Sequence, residues 1–486
     1  MEKRYFDVEN QTVDVDKAEM VYILFCASAV FLITPGIGLY YGGVLKRNSV
    51  VQIMFQSLMI TAAVTVLWYL IGYSLANSAS GSVMIGNLAS AALHSEEAKP
   101  LFEGATIPSI ANFCFNTYFP VATIQIFVGS IGERGRFLPS LVIGLIFTLV
   151  VYCPQAYWVW GGNGWLLNLG ELDFAGGGPV HISSGVASLV YSIYLGPRDK
   201  SKRFFAKASP MKPHSMFCGF VGVVLINFGW LSFNPGTLLA VNARTAYIFA
   251  NTMIASSTGC LTYVLVDKMI TGKYSLIASW EGIIVGLVNI TPSCGYYYPW
   301  AAFLTTVITA VGTRYLLIVS EKFVDDSSRA WPVHGIAGIL GGTLTGIFAS
   351  KTIAAADGVT EIDGGWVNGN FRQLGIQIAS WVVITLWTAS FTAIICFLVD
   401  HIPGLKVRAS EAGEEMGMDL YEMAETLDEF GNNYDEFFLS HAKRLREIAD
   451  ALEKGSGTVE LLEGSSPTSS PRNSHTSINI DYQQKV

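Results

Sequence analysis

Apolar runs about as long as a bilayer is thick recur from near the N-terminus to about residue 400, and no other feature limits the fold so severely. In hydrocarbon every backbone N–H and C=O must be satisfied within the protein, so only helices and closed barrels cross it. A crossing helix takes about 20 mostly apolar residues. The runs fall at 18–41, 50–76, 109–132, 137–160, 177–196, 214–235, 244–267, 275–293, 298–320, 332–350 and 373–400. They predict an all-α polytopic membrane protein with eleven transmembrane helices. Charged residues are 14% of the 486, where a soluble domain carries roughly a quarter. Gly, Ser and Thr dilute the fifth, sixth, eighth and tenth runs, as suits helices packed tightly on other helices.

The pattern repeats within the chain. Two of the seven histidines stand in the same tripeptide, Pro179-Val180-His181 and Pro332-Val333-His334, and each opens a stretch rich in small residues. These stretches end the first and second sets of five spans. Five spans per set invert the second set relative to the first, which predicts a 5+5 inverted repeat plus one extra helix. Such repeats place a polar site near the bilayer midplane.

Lys and Arg set the expected orientation. One set of loops carries Lys46, Arg47, Arg134, Arg136, Arg198, Lys200, Lys202, Arg203, Lys207, Lys212, Lys268, Lys273, Lys322, Arg329, Lys406 and Arg408; the alternate loops carry only Lys99, Arg244, Lys351 and Arg372. The first set is read as cytoplasmic, with the N-terminus outside and the C-terminus inside. The expected divisions are an extracellular tail over 1–17, a transporter domain over 18–400, a cytoplasmic regulatory region over 401–455 and a disordered Ser/Thr/Pro-rich tail over 456–486. The first 17 residues are acidic and do not read as a signal peptide. Asn10-Gln-Thr is a glycosylation sequon on the expected outer side, and Ser466-Pro and Ser470-Pro are candidate phosphorylation sites.

Much of the acidity behind the net charge of −8 lies in the last 80 or so residues, so it implies no nucleic-acid partner. The seven cysteines are scattered and form no Cys-x-x-Cys, so they read as small buried hydrophobes. No phosphate loop, metal cluster or nucleophile triad is visible. The expectation is no cofactor, no metal, no catalytic residue and no enzyme activity.

An ionisable side chain inside a span is costly and by default marks function. Two histidines in matching contexts read as a paired site rather than two unrelated buried imidazoles. A neutral imidazole has one donor and one acceptor, so two can bond each other and still offer polar groups to a small molecule. Asp173, ahead of the first histidine, is placed to cap that helix, to attract a cation, or both. The aromatics Phe115, Phe119, Phe228, Trp230 and Phe233 lie in spans beside small residues and suit a pore lining. Aromatic faces attract cations, and a hydrophobic constriction excludes hydrated ions.

These residues resemble the ammonium transporter family (Amt, Mep and Rh proteins), most closely the Amt/Mep branch, over about residues 18–425. The carrying stretches are Pro35-Gly-Ile-Gly-Leu-Tyr-Tyr-Gly-Gly43, Gly129-Ser-Ile-Gly-Glu-Arg134, Asp173-Phe-Ala-Gly-Gly177 through His181, Phe228-Gly-Trp-Leu-Ser-Phe-Asn-Pro-Gly236, Gly286-Leu-Val-Asn-Ile-Thr-Pro-Ser-Cys-Gly295, Val333-His-Gly335 and Gly417-Met-Asp419. The resemblance implies an ammonium-recruitment site at Trp160, Phe119 and Thr237, where relatives often carry Ser at the last position. It implies an aromatic gate at Phe119 and Phe233, a twin-histidine pore at His181 and His334, and a structural acid at Asp173. It also implies a plasma-membrane homotrimer with one pore per subunit, carrying ammonium or ammonia and methylammonium. Arg408, Gly417 and Asp419 match the family's regulatory tail, a surface for a cytoplasmic kinase or regulatory protein.

Three positions depart from the pattern. Arg329 stands where many relatives have Asp five residues before the second histidine. Met423-Ala424 replaces a His-Gly pair. Glu281, within the eighth span, is expected to be protonated or paired with Arg. The remaining alternatives are a passive ammonia or carbon dioxide channel, an ammonium sensor signalling through its tail, a bis-histidine haem protein and an aquaporin-type channel. The last would carry two Asn-Pro-Gly motifs, and only 234–236 appears.

Overall fold

A computed structural model of the chain describes residues 5–8, 11–94, 105–198, 208, 213–423, 425–427, 459–461 and 476–478. Asn10, Ser466 and Ser470 lie outside the described residues, as do most of the expected regulatory region and tail beyond 427. The chain divides into two compact units, Met1–Glu425 and Thr426–Val486. In the second, Val459–Leu461 pairs antiparallel with Thr476–Ile478. The first opens with a hairpin, β1 (Tyr5–Val8) and β2 (Gln11–Asp14), which the sequence reading did not anticipate.

Helix is present over each of the eleven expected runs. The segments are α1 (Lys17–Val44), α2 (Arg47–Asn77), α3 (Ser109–Asn116 running into Tyr118–Gly129), α4 (Phe137–Leu169), α5 (Gly177–Ile182 running into Ser183–Leu195), α6 (Met216–Gly236), α7 (Ala243–Thr271), α8 (Leu276–Ile290), α9 (Pro299–Ser320), α10 (Trp331–Phe348) and α11 (Arg372–Asp400). Among the described residues seven of these are individually long and apolar enough to cross a membrane: α1, α2, α4, α6, α7, α9 and α11. An eighth, α10, passes only with Lys351–Asp357, from which it is bent by 96°. The sixth run, expected to be weakly apolar, is among the seven, and α8 falls outside them as a 15-residue helix that is nonetheless apolar.

Glycine lets matching helices of the two sets touch at backbone distance. A Cβ built on Gly43 of α1 would lie 2.5 Å from the Gly219 nitrogen of α6. At α5 and α10 the contact is reciprocal: Gly185, four residues after His181, abuts Gly335, one after His334, while Gly338, four after His334, abuts Ile182, one after His181. A twofold relation between the two sets of five requires this exchange of positions. The eleventh helix packs on α4, α5 and α10 and braces the bundle from outside the repeat.

Candidate functional site

Proline shapes the turn that carries each histidine. Pro179 and Pro332 have no N–H to give to an ordinary helical ladder. In the first turn the His181 N–H donates to the Gly176 carbonyl five residues back, at 3.2 Å. In the second the Ala337 N–H reaches Pro332, also five back. Single wide turns of this kind recur at functional sites.

An aspartate caps both turns from the same distance. Asp173, eight residues before His181, accepts from the N–H groups of Gly176 (2.9 Å), Gly177 (2.7 Å) and Gly178 (2.7 Å). Asp326, eight before His334, accepts from the N–H groups of Ser328 (3.1 Å) and Trp331 (2.8 Å) and from the Ser328 hydroxyl (3.1 Å). The orphan donors of a helix start are thereby satisfied. Asp326 was not singled out from the sequence, yet the matching interval before each histidine was there to be read.

The capped turns bring the imidazoles together. His181 Nδ1 and His334 Nδ1 are 3.3 Å apart, so one ring donates and the other accepts. Both residues are buried. Direct ring contact leaves no room for an iron between the two nitrogens, which removes the bis-histidine haem alternative. Trp230 stacks on His181 with centroids 5.0 Å apart and planes 20° from parallel, and its indole N–H is held by the Thr291 hydroxyl at 3.1 Å. The sequence pointed to Trp230 only as one of several span aromatics. Its place against the histidine depends on helix rotation, which a run of apolar residues does not disclose.

Above Trp230 the aromatics form a column. Phe119 and Phe233 stack at 4.0 Å with 23° between planes. Phe119 meets Trp160 edge-to-face at 6.0 Å, and the Trp160 indole N–H donates to the Asp173 carbonyl at 3.0 Å. The Thr237 hydroxyl sits one turn beyond Phe233 and donates to its carbonyl at 2.9 Å, leaving its lone pairs to accept. Beyond the stacked pair lies a narrow cavity walled by Ile33, Ile37, Ile126, Val180, Ile226 and Ile284, with both histidines in its lining. Trp160, Phe119, Phe233, Trp230, His181 and His334 thus form one continuous series of neighbouring rings.

The same constellation can be set beside known proteins. The Ammonium Transporter Family model matches residues 21–427. The chain belongs to the ammonium transporter family. It is 44% identical over 457 residues to Ammonium transporter 3 of Schizosaccharomyces pombe, covering 85% of this chain and 88% of that one. It is 35% identical over 428 residues to Ammonium transporter MEP1 of Saccharomyces cerevisiae, covering 87% and 85%. The crystal structure of Candida albicans Mep2 superposes with a TM-score of 0.77 at 38% identity, covering 82% of this chain and 87% of the other.

The departures from the family pattern have structural partners in this transporter. Arg329, at a positive φ of 59°, donates from its guanidinium to Glu281 (2.8 Å) and Glu321 (2.8 Å). Glu281 is therefore the Arg-paired acid of the two expected alternatives. On the tail, Asp419 accepts from the N–H groups of Val50 (3.1 Å) and Gln52 (2.9 Å) at the start of the long α2 segment. Burial pushes its carboxyl above the ordinary aspartate range, against the pull of these backbone donors. Arg408 donates to the last carbonyl of α5, Leu195 (2.6 Å), and to the Pro197 carbonyl just beyond it (3.0 Å), and pairs with Glu414. Gly417, at φ 96°, passes so close to Asn48 that a Cβ would lie 2.4 Å from its amide carbon.

Proposed function

We propose that the chain recruits ammonium outside at Trp160, Phe119 and Thr237, that ammonium gives up its proton there, and that ammonia passes Phe119 and Phe233 and follows His181 and His334 into the cytoplasm while the imidazole pair hands the proton inward, so that one charge crosses with each ammonia. The observation that carries this reading is the stacked phenylalanine pair leading into a largely apolar cavity lined by two imidazoles in mutual contact together with Tyr40, Tyr41 and Trp230. A bare cation in such a cavity lacks its hydration and costs several kcal/mol or more. Deprotonation removes most of that cost. In the contacting pair, the ring that donates at Nδ1 has an acceptor at Nε2, and the ring that accepts at Nδ1 has a donor there. Ammonia can bond either, and His181 Nε2 has no protein partner. Potassium resembles ammonium in size but has no proton to lose, so the same path rejects it.

The rest of the reading follows the family resemblance and the charge pattern of the loops. It comprises eleven crossings, the N-terminus outside, the C-terminus inside, a plasma-membrane location, a homotrimer with one pore per subunit and a tail that receives a cytoplasmic kinase or regulator. Asp173 is the structural acid behind the recruitment site. The test is uptake by vesicles holding the purified chain. Ammonium should enter saturably, with competition from methylammonium and none from potassium. Entry that never saturates and meets no competition would favour the gas channel, and no entry would favour the sensor.

A further inference from the structure

A second cavity lies beside α5, touching Gly178 and Ile182 rather than the Val180 and His181 that face the pore. Glu171, Asp173, Gln377, Ser380 and Trp381 line it, with no Lys, Arg or His among its walls. Glu171 belongs to the non-helical stretch between α4 and α5 and is only 9% exposed. One carboxyl oxygen, Oε1, accepts from the Ser380 hydroxyl. The other, Oε2, is buried with no partner, and so is the indole N–H of Trp381. The backbone on both sides of Glu171 is held by α11. Gln377 accepts from the Leu172 N–H at 2.9 Å and donates to the Leu172 carbonyl at 2.8 Å, while Gln373 donates to the Gly170 carbonyl at 2.8 Å.

Two carboxylates facing one buried cavity without a cation cannot both ionise cheaply. Their surroundings decide which keeps the proton. Asp173 accepts from three backbone N–H groups at a helix start, where negative charge is favoured. Glu171 has one hydroxyl donor and a free oxygen with space beside it for an O–H. We infer that Glu171 is a buried carboxylic acid sharing its cavity with the Asp173 anion, and that its ionisation adds a second negative charge behind the ammonium-recruitment site. The inference rests on the recruitment role proposed above, to which Asp173 is tied through the Trp160 indole.

Burial, then the charge of Asp173, pushes the Glu171 carboxyl up, against a smaller pull from Ser380. Burial also pushes Asp173 up, and its three N–H donors hold it down. The sign follows: Glu171 is neutral in mildly acidic and neutral medium and ionises as the medium turns alkaline. Outside the cavity walls, the titratable groups near enough to act on Asp173 are Tyr152 on α4 and Cys294 and Tyr296 after α8, and Arg244 on α7 stands over the neighbouring Phe174. Arg244 stacks over Phe174 and Tyr296 and is paired with Asp357. None of these is a histidine or a carboxylic acid, and burial pushes the Cys294 thiol up out of this range, so Glu171 is the group free to change charge here.

The test combines infrared spectra with transport on the full chain in lipid vesicles. The wild type should show a protonated-carboxyl C=O band at neutral pH that Glu171→Gln lacks and that fades on alkalinisation. Ser380→Ala should keep the band and shift it, since one hydrogen bond is lost. Identical spectra for wild type and Glu171→Gln at neutral pH would overturn the protonated state. In transport, the wild-type KM, expressed per ammonium ion, should fall roughly fivefold from neutral to mildly alkaline medium, the scale of one added charge across partly solvated protein. Glu171→Gln should show no such fall. A band that titrates while both KM values stay level would overturn the link to recruitment. Absence of any wild-type ammonium current would instead refute the transport reading and leave the spectroscopic result standing.

Discussion

Substituting Gly185 with alanine tests whether the α5–α10 crossing holds the imidazoles in register. A Cβ there would lie 2.1 Å from the Gly335 nitrogen and 2.4 Å from its Cα, both backbone atoms one residue past His334. An ordinary contact begins at 3.4 Å, so the two backbones must part by about 1.3 Å. The histidine nitrogens, now 3.3 Å apart, would then pass out of hydrogen-bond reach. Overpacking of a buried site costs about 1–3 kcal/mol, and a displacement of about 1 Å at a reacting site costs on the order of 10²-fold in rate. Gly338→Ala, at the equivalent position of the other repeat, meets the Ile182 Cγ1 at 3.0 Å and backbone only at 3.3 Å, so it should be much milder. Gly375→Ala, with nothing within 4 Å, is the control. The assay is ammonium current from reconstituted protein, scaled to the amount of folded chain. Wild-type current in Gly185→Ala, or equal losses at 185 and 338, would refute the register argument.

Asp326→Ala strips the acceptor from two backbone donors and a hydroxyl and should cost about 1–3 kcal/mol, read as a lower thermal midpoint in detergent together with reduced current. Asp419→Ala uncaps the Val50 turn, a loss of about 1 kcal/mol. Limited proteolysis should cut near residue 419 faster than in the wild type while the helices stay intact. Arg329→Gln leaves Glu281 buried without its cation and should destabilise by about 3–5 kcal/mol. Adding Glu281→Gln should recover most of that loss in the same thermal assay, and a double variant no better than the single one would contradict the pairing.

The helical segments were legible because hydrocarbon admits few backbone solutions, so apolar runs marked helix, and among the described residues seven of the helices are individually long and apolar enough to cross. The Pro-Val-His pair was legible because repeated chemistry survives in sequence. Asp173 could be narrowed only to capping or cation attraction, and its three N–H bonds are the capping geometry. Asp326 escaped notice because Ser-Ser-Arg-Ala-Trp follows it where Phe-Ala-Gly-Gly-Gly follows Asp173, so the shared turn leaves no shared spelling. Trp230 against His181, and Arg329 against Glu281 across 48 positions, depend on helix rotation and tertiary approach. The N-terminal hairpin went unread because its two strands are only four residues each and carry no Gly turn.

The central claim is that the paired imidazoles let ammonium through by way of its neutral form. Currents on a solid-supported membrane, after an ammonium pulse and a matched potassium pulse, test it most directly for the wild type and for His181→Ala combined with His334→Ala. The account predicts a wild-type current with ammonium and none with potassium. In the double variant the ammonium current should vanish, or potassium should pass as well. A double variant that still carries ammonium and still rejects potassium would contradict it.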